Sequence, residues 1–165
     1  MKIYALGNAL MDTVIEDSGD LIDQFKLEKG SMTLIDDSQL HTMLPHIQPH
    51  ITEKSAGGSA ANTCITAQLM GANCQLSCKV ANDENGQLFI KDLDTLQLQH
   101  NYTQQTPETG TTGTCLVFVT PDAERTMSTY LGISATYGPD DVQEADIQAA
   151  DLCYIEGYLV STPEG

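Results

Sequence analysis

The chain has 165 residues and a formal net charge of −16, from 23 acidic and 7 basic side chains. That length fits one domain, or one with an appended piece, and a hydrophobic content of 41% supports a packed core and excludes extensive disorder. So few cations exclude a nucleic-acid footprint and an anionic membrane surface, both of which need clustered Lys and Arg.

The first element is a buried strand, Ile3 to Leu6, ending in Gly7-Asn8. Thr13 to Ile15 reads as a short exposed strand. Leu21 to Leu27 reads as a short helix capped by Asp20, and Met32 to Ile35 as a strand. Asp36-Asp37-Ser38 caps a helix expected to stop before Pro45. Ile51 to Ser55 is extended, and residues 59–70 form a helix of small residues. Gln75 to Val80 is a strand, followed by an amphipathic helix from Gly86 to Leu96 with Leu88, Phe89, Leu93 and Leu96 on its apolar side. Tyr102 to Gln105, Thr114 to Thr120 and Arg125 to Leu131 read as strands, with a turn at 121–124. Asp140-Asp141 is expected to cap an acidic helix running to Ala150, and Leu152 to Ile155 to be a last buried strand.

Strands alternating with helices imply a parallel sheet covered on both faces. The short polar strands do not suit that sheet. Those near 12–17, 31–36, 50–55 and 101–106 are therefore expected to form a separate small sheet.

The five cysteines, Cys64, Cys74, Cys78, Cys115 and Cys153, contain no CxxC pair, and the four histidines stand at no ligand spacing. Buried thiols are the expectation and a metal site is not. The odd cysteine count and the lack of an apolar leader point to a reduced, cytoplasmic protein. No apolar run reaches the length of a membrane span.

The densest chemical signal is Gly57-Gly58-Ser59-Ala60-Ala61-Asn62, opening the helix that ends near Gly71. A glycine pair lets the backbone approach a ligand that a Cβ would block. The helix N-terminus behind it presents free N–H groups and partial positive charge. Asn62 adds a donor and an acceptor. Such a set suits a polyhydroxylated ligand, whose hydroxyls need both kinds of partner.

Together with Gly7-Asn8-Ala9-Leu10-Met11-Asp12, this motif resembles the PfkB family of carbohydrate kinases, the ribokinase and adenosine kinase group. Thr112-Gly113-Thr114-Cys115 and Glu124-Arg125 look like its adenosine kinase branch, and all of residues 1–165 can be laid along the N-terminal part of such an enzyme. The resemblance implies an α/β, Rossmann-like (ribokinase-like) core sheet with helices on both faces, plus a small β-sheet lid. It implies that Asn8, Asp12, Gly57, Gly58, Asn62, Cys115 and Glu156 bind substrate and that Arg125 suits a phosphate contact. Taken alone, Cys115 also reads as a packed thiol, Glu156 as a turn residue before Gly157, and Arg125 as half of a surface ion pair. A homodimer through the lid strands is a further expectation.

The family's Asp-Thr-x-Gly-Ala-Gly-Asp run, which holds its catalytic base and anion hole, does not occur in these 165 residues; neither does GxxxxGK[ST] nor GxGxxG. The expectation is the substrate-binding portion of an ATP-dependent sugar or nucleoside kinase, with the C-terminal half absent and no catalytic residue in this chain. ATP and Mg²⁺ would belong to the full-length enzyme, with neither bound by this fragment. The competing class is a non-catalytic ligand-binding or dimerisation module of the same fold. A dinucleotide-dependent enzyme is disfavoured by the missing glycine fingerprint.

Overall fold

The computed structural model describes residues 1–101 and 109–161. Two sheets carry the architecture. The core sheet is all-parallel, with order β6-β5-β1-β9: β1 is Lys2–Leu6, β5 Asn73–Ser77, β6 Gln99–His100 and β9 Leu152–Ile155. The second sheet is mixed, with order β3-β8-β7-β2-β4: β2 is Leu10–Glu16, β3 Met32–Leu34, β4 Ile51–Gly57, β7 Gly113–Val119 and β8 Arg125–Tyr130. β7 and β8 thus join the second sheet. Tyr102 to Gln105, expected there from the sequence, lies outside the described residues.

Each sheet is covered by amphipathic helices. Helices α3 (Ser59–Leu69) and α4 (Glu84–Thr95) bring Ala60, Ala61, Cys64, Phe89 and Leu93 into one core with Ile3, Ala5, Leu76 and Val80. Met11 and Ala56 extend that core into the roots of β2 and β4. A second face of the core sheet carries Tyr4 and Leu6 against Tyr137 and Leu159, with Val142 and Ile147 of the α5 region (helix α5 is Glu144–Gln148) alongside. Helices α1 (Asp20–Phe25) and α2 (Asp37–Ile47) cover the outer face of the second sheet, packing Leu21, Ile22, Leu40, Met43 and Ile47 on Ile15, Leu116 and Phe118. Among the described residues no helix is long and apolar enough to cross a membrane.

Several local expectations change on contact with tertiary structure. β2 is a seven-residue strand with Met11, Thr13 and Ile15 buried, not a short exposed one, because helices lie over one face and a cleft over the other. The cap of α1 comes from Asp17, whose carboxylate accepts from Leu21 N at 3.1 Å and Ile22 N at 3.0 Å; Asp20 lies inside the helix. α2 continues through Pro45 to Ile47, since so close to its end proline forfeits a single backbone hydrogen bond. The pair Asp140-Asp141 sits in a 3₁₀ turn, and α5 starts only at Glu144. Asp141 is drawn off instead to Gly138 N and to Lys79 Nζ, a half-buried ion pair at 3.1 Å. Cys78 lies just past β5, yet shares the buried cluster of Cys74 and Cys64. β9 is an exposed sheet edge rather than a buried strand.

Candidate functional site

The two sheets meet at a cleft of about 520 Å³, walled by the loop after β1, the start of α3, the end of β9 and the inner face of the second sheet. Asn8, Asp12, Gly58, Asn62, Cys115, Arg125 and Glu156 all line it. Gly57 stands one step behind: a Cβ there would run into the Asp12 carboxyl, so glycine is what leaves room for that side chain. Gly58 caps α3 at φ +94°, and a Cβ on it would fall 2.5 Å from the Asn8 carbonyl oxygen. Gly58→Ala is expected to lose about 1–3 kcal/mol of stability from left-handed strain and this collision. Urea unfolding measures it, and an unchanged midpoint would contradict the geometry.

Strand register explains how distant residues come to share one wall. Asp12 on β2 pairs with Ser55 on β4 and with Cys115 on β7; Cys115 pairs with Thr129 on β8, and Thr129 with Leu34 on β3. The next row on that face runs Val14, Val117, Met127, Met32. Side chains two apart on a strand share a face, so Asp12, Cys115, Thr129 and Leu34 border the cleft beside Val117, Met127 and Met32. Arg125 follows at the far end of β8. The apolar members, with Ser59, Leu131 and Tyr158, are lining residues not singled out from the sequence. Their signal was the alternation Met32/Leu34 and Met127/Thr129, which acquires meaning only once strand pairing is known.

Glu156 is the hub of the polar end. It is 3% exposed, and its carboxylate accepts four hydrogen bonds. Oε1 takes Asn8 N and Asn8 Nδ2, both at 2.7 Å. Oε2 takes Ser59 Oγ at 2.6 Å and Ala60 N at 3.1 Å. A buried carboxylate needs such donors, and the N-terminus of α3 adds its dipole. One side chain therefore ties β9, the loop after β1 and the start of α3 together.

That hub also settles the orientation of Asn8. A carboxylate only accepts, so the amide Nδ2 must face Glu156 and Oδ1 must turn away. Asn8 Oδ1 is buried and has no hydrogen-bond partner among the described residues. The Asn8–Ala9 turn is pinned further by Ser134, whose Oγ accepts from Ala9 N at 2.9 Å.

Burial pushes the Asp12 carboxyl above the ordinary aspartate range, and the Arg125 guanidinium pulls against that shift. The Cys115 thiol is also raised, first by burial; the Thr129 hydroxyl, 3.4 Å from Sγ, opposes this, and the Asp12 charge adds to it. Away from the cleft, burial pushes the Cys64 thiol up to about 12, so at neutral pH it is a packed thiol with negligible thiolate. Among the described residues no group of three or more His, Cys, Asp or Glu is placed to hold a metal ion.

Known proteins share this architecture. The adenosine kinase of Sinorhizobium meliloti superposes with a TM-score of 0.88 at 28% identity, over 99% of this chain and 49% of that one. A probable sugar kinase from Rhizobium etli CFN 42 gives 0.86 at 30% identity, over 99% and 48%. In sequence, the adenosine kinase of Dictyostelium discoideum is 27% identical over 168 residues, covering 98% of this chain and 48% of its own length. The ribokinase of Mus musculus is 29% identical over 89 residues, covering 54% and 27%. The chain thus spans about half, or less, of the length of the relatives it matches, and its α/β ribokinase-like fold is theirs. The model of the pfkB family carbohydrate kinases matches residues 29–164, and the chain belongs to that family.

Proposed function

We propose that this chain is the acceptor-binding portion of an ATP-dependent kinase that transfers the γ-phosphate to a hydroxyl of a sugar or nucleoside, a nucleoside being the better fit. One observation carries the reading: the cleft is polar at one end and apolar along its wall. At the polar end Asn8 offers an acceptor without a partner, Asp12 a carboxylate, and Asn62 an exposed amide near the start of α3. Buried acceptors without donors are costly, and ligand hydroxyls satisfy them. Gly57 and Gly58 keep the approach clear. Along the wall, Met32, Leu34, Val117, Met127 and Leu131 present aliphatic and thioether surface. That surface suits a flat heteroaromatic ring, which thioethers contact favourably. A bare pentose would leave it wet.

In this reading Glu156 holds Asn8 and α3 in place, Cys115 and Thr129 shape the wall, and Arg125 meets a phosphoryl group. Phosphoryl transfer also needs nucleotide positioning and a base or anchoring group for the nucleophile. The sequence run that serves these purposes in the family is not among the 165 residues, so ATP and Mg²⁺ are assigned to polypeptide beyond them.

Calorimetry with adenosine and with ribose tests the assignment. Adenosine is expected to bind at least tenfold more tightly. Equal affinities would remove the nucleoside preference, and no binding of either would sink the acceptor-site reading. The chain alone, with ATP, Mg²⁺ and a panel of sugars and nucleosides, is expected to give no turnover above a protein-free control.

A further inference from the structure

Glu156 borders the cleft, yet it has nothing left to offer a ligand. A carboxylate has about four lone-pair sites, and Asn8 N, Asn8 Nδ2, Ser59 Oγ and Ala60 N occupy them. Two of these donors belong to one residue: Oε1 takes both the backbone N–H and the side-chain Nδ2 of Asn8, each at 2.7 Å. An asparagine amide has a donor end and an acceptor end of almost the same shape, so turning it over exchanges one for the other. At Asn8 the exchange would set Oδ1 where Nδ2 now stands, 2.7 Å from a carboxylate oxygen. Two acceptors cannot share that position, and the carboxylate itself cannot swing away, because Ser59 Oγ and Ala60 N hold its other oxygen. The free end of the Asn8 amide is therefore always the acceptor. Asn8 lines the cleft and is 3% exposed, and Oδ1 has no partner among the described residues. Asp12 differs in this respect. Its carboxyl changes from acceptor to donor when it takes a proton, whereas Asn8 has no proton to gain.

We infer, resting on the acceptor-site reading above, that Glu156 is a positioning residue that sets specificity through Asn8. It fixes the amide with its acceptor end toward the ligand, so the cleft demands a hydrogen-bond donor there, a hydroxyl or an amine. Glu156→Gln separates this directing role from simple holding, because the new side chain is itself an amide. With its oxygen toward Asn8 it keeps both Asn8 donors and sets its NH₂ against the Ala60 N–H. With its NH₂ toward Asn8 it keeps Ser59 Oγ and Ala60 N, donates to a turned-over Asn8 Oδ1, and meets the Asn8 backbone N–H. Each arrangement contains one clash between donors, so neither dominates and the fixed sense of Asn8 is lost.

The test uses calorimetry on the 165-residue chain with adenosine and three analogues, each with one hydroxyl replaced by fluorine. Fluorine is similar in size and has no proton to donate. At the hydroxyl that faces Asn8 it is expected to weaken binding at least tenfold, because Oδ1 stays unpaired. That position is identified as the one whose penalty Asn8→Ala removes. Glu156→Gln is expected to cut the same penalty at least threefold and to leave the penalties at the other positions unchanged. A residue that only holds the fold would weaken adenosine and its analogues alike and leave their ratio unmoved. In the ligand-free chain, the Asn8 side-chain NH₂ is expected to exchange with water at least tenfold more slowly than that of the exposed Asn73, and Glu156→Gln to lose this protection. Urea unfolding shows which variants fold, and Asn8→Ala with the parent's exchange decides the matter even where Glu156→Gln does not. Fluorine penalties untouched by Asn8→Ala, a ratio unmoved by a folded Glu156→Gln, or an Asn8 NH₂ that exchanges as fast as that of Asn73 each overturn the inference while adenosine binding persists. Loss of all nucleoside binding in the parent sinks the acceptor-site reading, and this inference with it.

Discussion

Glu156→Ala is expected to lower the unfolding free energy by about 3–5 kcal/mol, the scale seen when a buried charge network loses one partner. The substitution strands Asn8 N, Asn8 Nδ2, Ser59 Oγ and Ala60 N at once. Each buried unsatisfied donor costs about 1–3 kcal/mol, and water entering the vacated space recovers part of the total. A typical domain has only about 5–15 kcal/mol in all. Glu156→Gln is expected to lie between alanine and the parent. Its amide can keep the two Asn8 donors on its oxygen, and Ser59 Oγ can turn to accept from its NH₂, but that NH₂ faces the Ala60 N–H. Urea unfolding of the three proteins decides it, with the exposed Glu53→Ala as reference. A loss for Glu156→Ala no larger than for Glu53→Ala would show that the four short bonds are not holding the loops.

Asp12→Asn is expected to do two opposite things. In the free protein it should raise stability at neutral pH. The Asp12 carboxyl titrates above its ordinary value of 3.8 because burial penalises its charge. A folded state that binds the proton more readily than the unfolded one is penalised as pH rises from that ordinary value through the raised one, and the penalty is complete above both. The neutral amide escapes it. In the complex the same change should weaken nucleoside affinity by about 10- to 100-fold. Hydrogen bonds to a charged acceptor contribute about 1.5–3 kcal/mol, and about 1.4 kcal/mol is a factor of ten. Affinity of the parent should fall on acidification as Asp12 takes its proton, at a higher pH than for an ordinary aspartate, and the Asn variant should lack that step. Paired measurements of melting and adenosine binding against pH test both arms. An unchanged affinity in the Asn variant would make Asp12 a structural residue.

These two residues mark where the sequence was legible and where it was not. Gly57-Gly58 and the small-residue helix after them form a local pattern, and the start of α3 is found where that pattern puts it. Asp12 stood out only through the resemblance carried by Gly7-Asn8-Ala9-Leu10-Met11-Asp12. The four donors to Glu156 could not be read, because they lie 148, 97 and 96 positions away. Nor could the membership of β7 and β8: a β-branched run looks the same in either sheet, and its partners β2 and β3 are about a hundred residues earlier. The buried reading of β9 failed for a related reason. An apolar run reads as buried, but burial depends on what packs beside the strand, which composition does not record. At the start of α1 the sequence pointed to Asp20, and the backbone path brings the Asp17 carboxylate to the free N–H groups instead.

The pairing of β1 with β9 has a consequence for biosynthesis. Ile3 lies beside Leu152, and Asn8 is held by Glu156. At about 5–20 residues per second, the ribosome needs on the order of ten seconds to pass from one member of each pair to the other. During that interval β1, the most buried strand of the core sheet, has no sheet partner until β5 is made, and one edge stays bare until β9 follows. Contacts of such long sequence separation also form slowly once both partners exist. Among the described elements the polar end of the cleft thus waits longest for its partner, and a holding chaperone that shields apolar strands has its longest opportunity at β1.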